Sequence, residues 1–148
     1  MRYVTPRLRR AATRLLEHEA GGDQSTAEDL AAASGRLVER LSQRLAQTIG
    51  PGGVEAIFRR AIMMRRAEFP FLDERLVGGR TSERLGEALA ARLQEFEADV
   101  IRDASVVLVA TFAGLLATVI GDRFAWSFLR DVWPDTLLPE LESLEANE

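Results

Sequence analysis

The chain has 148 residues, of which 47% are hydrophobic and 28% are charged, a balance typical of a globular protein with its own core. It contains no cysteine, which excludes disulfides, thiolate metal sites, iron–sulfur clusters and thiol nucleophiles. The net charge of −4 does not favour binding of a polyanion. It divides into a basic half (residues 1–66, 12 Arg against 7 acidic residues) and an acidic half, an asymmetry that fits nucleic-acid binding at the basic end as well as attraction within a fold or across a dimer.

The first predicted helix covers residues 6–20. Thr5 is a suitable N-cap, and Pro6 is suited to a first helical turn because its missing N–H would have no intrahelical partner there. Gly21 and Gly22 then end the helix. No continuous apolar run follows the first residues, so we predict no secretory signal and expect a cytoplasmic location.

The second predicted helix covers residues 26–49. Ser25 and Glu28 have the spacing of a capping box, and the break comes at the Gly50-Pro51-Gly52-Gly53 segment. Its apolar residues recur on one face: Leu30, Leu37, Leu41, Leu45 and Ile49.

A third helix is predicted from this break to Phe69, because Pro70 disfavours helical geometry at the residue before it. After Gly78-Gly79, apolar residues recur at helical spacing from Leu85 through an uncharged stretch to Trp133, and we call this series the apolar seam. One long helix fits this seam, as do two helices joined near Gly121.

Residues 139–148 form an acidic segment that we expect to be frayed, which leaves residues 1–138 as a single helical domain.

The uncharged run Ala104–Gly121 is the strongest feature of the sequence. It has 18 residues, the lower bound for a membrane-spanning helix. Serine, threonine and glycine dilute it, and each end carries one Arg and one Asp rather than a one-sided positive charge. A helix that is apolar all round is also what the centre of a bundle requires. We therefore predict an all-α, compact bundle of five or six helices around this buried helix, and a membrane span is disfavoured.

The sequence offers little catalytic chemistry. The single histidine, His18, lies between two glutamates and is predicted to be a surface residue near a helix end. Glu95, Asp99 and Asp103 are spaced four apart, as on a face that binds a hard cation, but a solvated helix face is the explanation we favour. We predict no catalytic residue, no metal site and no cofactor, and hence no enzyme.

Residues 26–45 resemble a bacterial helix-turn-helix segment. Ala31, Gly35 and Leu41 fall where that motif packs its first helix, makes its turn and packs its second helix. The resemblance implies a DNA-binding regulator. Arg36 departs from the motif, since an apolar residue is usual after the glycine, and an uninterrupted amphipathic helix accounts for the same leucines.

The function hypotheses follow from this limited chemistry. The leading one is a regulatory or protein-interaction module that associates with itself as a homodimer. The alternatives are the DNA-binding regulator and a bundle that senses a small molecule beside the small residues of its central helix. Three arginines offer a possible surface for another protein: Arg59, Arg65 and Arg66. The helical phase of Arg65 puts it near the apolar face, where we expect a paired arginine at a bundle edge or subunit interface.

The C-terminal helix has two apolar faces. Phe124, Phe128 and Val132 recur every four residues and are predicted to enter the core. The tryptophans are seven residues apart on a different face, which we expect to form a homodimer interface with an arginine, although packing by the first helix would also cover it. The predicted interface residues are Trp126, Arg130 and Trp133.

Overall fold

The computed structural model describes residues 5–22, 24–73, 76, 82–133 and 136. Within these residues the chain is helical and forms no strand. The prediction of an all-α bundle of five or six helices is confirmed. The predicted acidic segment 139–148 lies outside the described residues. The five helices are α1 (Pro6–Ala20), α2 (Ala27–Arg65), α3 (Ser82–Leu93), α4 (Ala98–Ile120) and α5 (Asp122–Val132).

Local capping determines both ends of α1, as predicted. The hydroxyl of Thr5 accepts a hydrogen bond of 3.1 Å from the amide of Leu8. At the other end Gly21 has φ 89°, a conformation that favours glycine, and its amide donates to the carbonyl of Glu17 at 2.9 Å. The helix therefore begins and ends where its sequence signals lie.

The start of α2 differs from the prediction by one residue. Thr26, rather than Ser25, is the N-cap: its hydroxyl accepts from the amide of Asp29 at 3.1 Å, and the Asp29 carboxylate accepts from the amide of Thr26 at 3.2 Å. The hydroxyl of Ser25 donates instead to the carbonyl of Gly22 at 2.8 Å. A helix capped by Ser25 and a helix capped by Thr26 both have an acidic residue at capping-box spacing, so the sequence pattern does not distinguish the two starts.

The predicted break after residue 49 is a kink within α2. Gly50 has φ 80° and ψ 161°, outside the helical region, and Pro51 follows it in the helix. A positive φ is accessible to glycine at little steric cost, and proline has no amide to continue the hydrogen bonding. The kink divides α2 into two arms, residues 27–49 and 51–65.

The helix-turn-helix hypothesis for residues 26–45 is wrong in its backbone geometry. Gly35 lies inside the continuous first arm of α2, where no turn occurs. A Cβ atom on Gly35 would lie 2.7 Å from the main-chain oxygen of Gly86, and one on Gly86 would meet the main-chain oxygen of Gly35. The two glycines therefore allow α2 and α3 to approach closely, which is the physical reason for a glycine at position 35.

The predicted long helix after Leu85 is three helices. In addition to the break at Gly121, the chain leaves helical geometry between Leu93 and Ala98. Phe96, in this connection, packs on Phe71 with ring centroids 4.2 Å apart. The apolar residue that extended the seam in the sequence thus belongs to the connection between α3 and α4.

The central apolar helix is buried, as predicted. Every residue of Ala104–Leu116 is buried in α4, which packs against α1, α2 and α5. The helix is long and apolar enough to cross a membrane by length and composition, with a mean hydropathy of 2.0 over its most apolar window, 67% of which is buried in the protein. The rings of Phe112 and Phe58 stack in this core with centroids 4.1 Å apart.

Replacing Gly86 by alanine tests the contact between α2 and α3. The added methyl group would meet the backbone of α2, so the helices must separate, and we expect the free energy of unfolding to fall by about 1–3 kcal/mol in urea denaturation. Gly52→Ala is the matched control, since a Cβ there meets nothing within 4 Å. That variant should equal the parent or exceed it by up to about 1 kcal/mol. Equal stability of the two variants would contradict the close approach.

Candidate functional site

The orientation of α5 differs from the predicted one. Trp126 is 3% exposed and Trp133 is 1% exposed, whereas Phe124 is 71% exposed. Phe128 and Val132 are partly buried. The prediction that the phenylalanine stripe enters the core is therefore wrong for Phe124, whereas Phe128 and Val132 pack against the core. The two tryptophans of the predicted interface lie inside the monomer.

Helices α1 and α2 supply polar partners of the buried tryptophans. The indole N–H of Trp133 donates to the carboxylate of Glu19 at 3.1 Å, and the guanidinium of Arg40 lies 5.7 Å from the centre of the indole ring. Trp126 lines a depression with the first turn of α1, including Thr5 and Leu8. A buried indole needs an acceptor for its N–H, and Glu19 provides one. Contact with α1, the alternative to an intermolecular tryptophan face, is what the structure contains at Trp133, and α5 itself packs on α4 and α2.

Glu19 is the centre of a polar cluster that joins three helices. Its side chain is almost buried, and its carboxylate pairs with Arg40 of α2 at 2.5 Å. Arg36 donates to the main-chain oxygen of Glu19 at 2.6 Å. Cations near the C-terminal end of a helix interact favourably with its dipole, so both arginines stabilise this end of α1. His18 is exposed nearby, as predicted for a surface histidine.

A second polar cluster holds Arg65, one of the three arginines predicted to bind a partner. Its side chain is only 4% exposed, and its Nε donates to the hydroxyl of Thr111 at 2.8 Å. One terminal nitrogen pairs with Glu68 at 2.9 Å. Thr111 in turn donates to the carbonyl of Val107 at 2.7 Å. Arg65 therefore joins α2 to α4 in the interior and is not available on the surface.

The other two arginines of the predicted set lie outside this cluster. Arg59 pairs with Glu55 at 2.7 Å, one turn earlier in α2. Arg66 is exposed and has an interaction within the chain. The structure thus does not combine Arg59, Arg65 and Arg66 into one exposed patch.

The predicted acidic face is also divided. Glu95 lies in the connection before α4, whereas Asp99 and Asp103 are on that helix. Among the residues described here, no three histidine or acidic side chains are grouped so that they could hold a metal ion.

The surface that sequence reasoning missed begins at the turn between α4 and α5. Gly121, with φ 94°, ends α4, and its amide donates to the carbonyl of Ala117 at 2.8 Å. Val119 before this turn is 68% exposed, and Phe124 after it is 71% exposed. The turn therefore leaves two large apolar side chains on the surface, one from each helix.

Phe124 lies among polar residues on the side of α5 that faces away from the core. Ser127 is partly exposed, and the charged residues are exposed and of both signs. Such a surface offers apolar contact and charge pairing, which are the elements of a protein interface. We call it the outer face of α5, and it consists of Arg123, Phe124, Ser127, Arg130 and Asp131.

Comparisons with known proteins give no family and no relative. No family model matches the chain, and neither a curated protein nor a solved structure matches it. The fold and the outer face of α5 are therefore the basis for a functional proposal.

Thr111→Val tests the interior Arg65 cluster. The change keeps the shape of the side chain but leaves the buried Nε of Arg65 without its acceptor, so we expect unfolding to become easier by about 1–3 kcal/mol in chemical denaturation. Thr118→Val is the matched control, because Thr118 is exposed and its hydroxyl donates to the carbonyl one turn earlier, that of Gly114. Its effect should stay within about 0.5 kcal/mol.

A double substitution tests whether the loss of stability comes from the contact between Arg65 and Thr111. Arg65→Met combined with Thr111→Val removes both partners, so the combined loss of stability should be smaller than the sum of the two single losses. Strict additivity would show that the two side chains do not depend on each other.

Proposed function

We propose that this protein is a non-enzymatic helical interaction module that associates with itself through the outer face of α5. The observation that carries the proposal is the 71% exposure of Phe124, with Val119 exposed on the other side of the Gly121 turn. Burying a phenylalanine side chain is worth roughly 1.5–3 kcal/mol, which provides a driving force for association.

The interior polar groups bond to one another between helices, and this supports the proposal. Arg65 and Thr111 bond to each other, and the hydroxyls of Ser34 and Ser105 are 2.6 Å apart in the core. These contacts satisfy polar atoms that the bundle buries, and each joins α2 to α4. Their role is structural, which favours an activity located on the surface.

The charges beside Phe124 favour a protein partner. Arg130 and Asp131 are adjacent and both exposed, so the outer face of α5 carries both signs of charge. Nucleic acid binding relies on positive side chains that neutralise successive phosphates. A face of mixed sign is better matched to another protein face, in which each charge finds an opposite one.

Phe124→Ser tests the proposal by sedimentation velocity. We expect the parent to form dimers as its concentration rises into the micromolar range. The variant removes one buried phenylalanine from each copy, so its dimer should dissociate about 100-fold more readily. Its circular dichroism spectrum should match that of the parent, because the side chain is exposed.

Met63→Ser provides the matched control for this experiment. Met63 is also a large exposed apolar side chain, at 48%, but it belongs to α2. This variant should sediment like the parent. A parent that is monomeric at several hundred micromolar would refute self-association, and equal effects of the two variants would refute the assignment to α5.

A further inference from the structure

The depression beside Trp126 has the size of a small ligand site. Its volume is about 320 Å³, near the lower end of the range for pockets that bind small molecules. Residues from the starts of two helices line it: Arg7, Leu8 and Arg10 come from α1, and Asp122 and Trp126 come from α5. Its wall therefore combines apolar side chains with two guanidinium groups and one carboxylate.

Arg7 has a buried donor without an acceptor. Its Nε atom is buried and has no hydrogen-bond partner. A buried N–H without an acceptor is unfavourable because its hydration has been lost, so such a group in a folded protein calls for an explanation. Among the residues that the structure describes, no carboxylate pairs with Arg7 or with Arg10. The depression thus contains two positive charges that no contact within the described chain neutralises.

The position of Arg7 in α1 adds to this positive charge. The N-terminal end of a helix carries partial positive charge, so acidic residues are favourable there and basic residues are not. The first turn of α1 contains Arg7 and Arg9 and no acidic residue. Arg9 lies 3.9 Å from Asp103, but Arg7 lacks such a partner. The helix dipole and the Arg7 guanidinium therefore both favour an anion in the depression.

We infer that this depression binds a small organic anion. Its carboxylate or phosphate group pairs with Arg7 and Arg10, because a guanidinium forms paired, charge-assisted hydrogen bonds with either group. Its apolar part lies against Leu8 and Trp126, which are 8% and 3% exposed and so offer only a small apolar surface. The site uses no residue of the outer face of α5 and does not rest on self-association.

The carboxylate of Asp122 distinguishes a small anion from a polyanion. Asp122 is exposed and lines the same depression as the two arginines. It repels additional negative charge, whereas nucleic acid binding relies on positive side chains along successive phosphates. One acidic group with an uncharged apolar part therefore suits this wall better than a nucleic acid backbone.

Titration calorimetry with phenyl phosphate and with benzoate tests the inference. We expect one molecule to bind per chain at low ionic strength, and inorganic phosphate to bind more weakly than phenyl phosphate because it has no apolar part. Arg7→Gln and Arg10→Gln should each weaken binding about tenfold by removing a charge-assisted hydrogen bond. Arg44→Gln is the matched control, since it removes the same charge from an exposed position of α2 and should bind like the parent.

Two further variants give results that a purely structural role of Arg7 would not produce. Arg7→Met removes the unpartnered donor, so without ligand it should melt at or above the temperature of the parent. Phenyl phosphate at ten times its Kd should raise the melting temperature of the parent by about 3–6 °C and leave that of Arg7→Met unchanged. Asp122→Asn removes negative charge from the wall and should tighten binding about threefold.

Several results would overturn the inference while leaving the sedimentation test of α5 unaffected. One is the absence of binding of both probes in the millimolar range. Equal losses in Arg7→Gln and Arg44→Gln would show general electrostatic attraction only, and inorganic phosphate that binds as tightly as phenyl phosphate would exclude the apolar contact. Binding of duplex DNA that Arg7→Gln abolishes, without binding of either probe, would assign the arginines to a nucleic acid. Because Arg10 is exposed, Arg10→Gln keeps the test valid if Arg7→Gln does not fold.

Discussion

The need to cover α4 on every side governs the architecture of this bundle. An amphipathic helix requires one neighbouring layer, whereas a helix that is apolar all round exposes hydrophobic surface in every direction not covered. Residues Ala104–Leu116 are all buried, and α1, α2 and α5 pack around them. The other helices of the described chain therefore take positions in which their apolar sides reach α4, or, for α3, reach α2.

Polar atoms within this apolar helix determine how α2 is aligned with it. The hydroxyl of Ser105 meets that of Ser34, and Thr111 accepts from Arg65. Ser34 and Arg65 lie in different arms of α2, one before and one after the kink at Gly50. Unpaired polar atoms are unfavourable in a core, so each of these contacts fixes the position of one arm of α2 relative to α4. The kink between the arms allows both of them to contact α4.

The sequence predicted those features that depend on neighbouring residues. The ends of α1, the break at Gly50 and the buried central helix each have a local cause in capping, backbone conformation or composition. The function of Gly35 was not predictable in this way, because it depends on contact with Gly86, which is distant in the sequence. The rotation of α5 has a similar origin, since helical phase reveals two apolar faces without ranking them, and the partners of Trp133 come from α1 and α2.

The same interactions explain why Phe124 of α5 is left outside. The indole N–H of Trp133 donates a hydrogen bond to Glu19, and the guanidinium of Arg40 lies over the indole ring. Burial of this indole therefore satisfies polar as well as apolar contacts. Phe124 has no polar atom, so α1 and α2 offer it no hydrogen bond that would compete with those of the tryptophan. The contacts that hold α5 against the bundle therefore also determine which aromatic side chain is exposed on the surface.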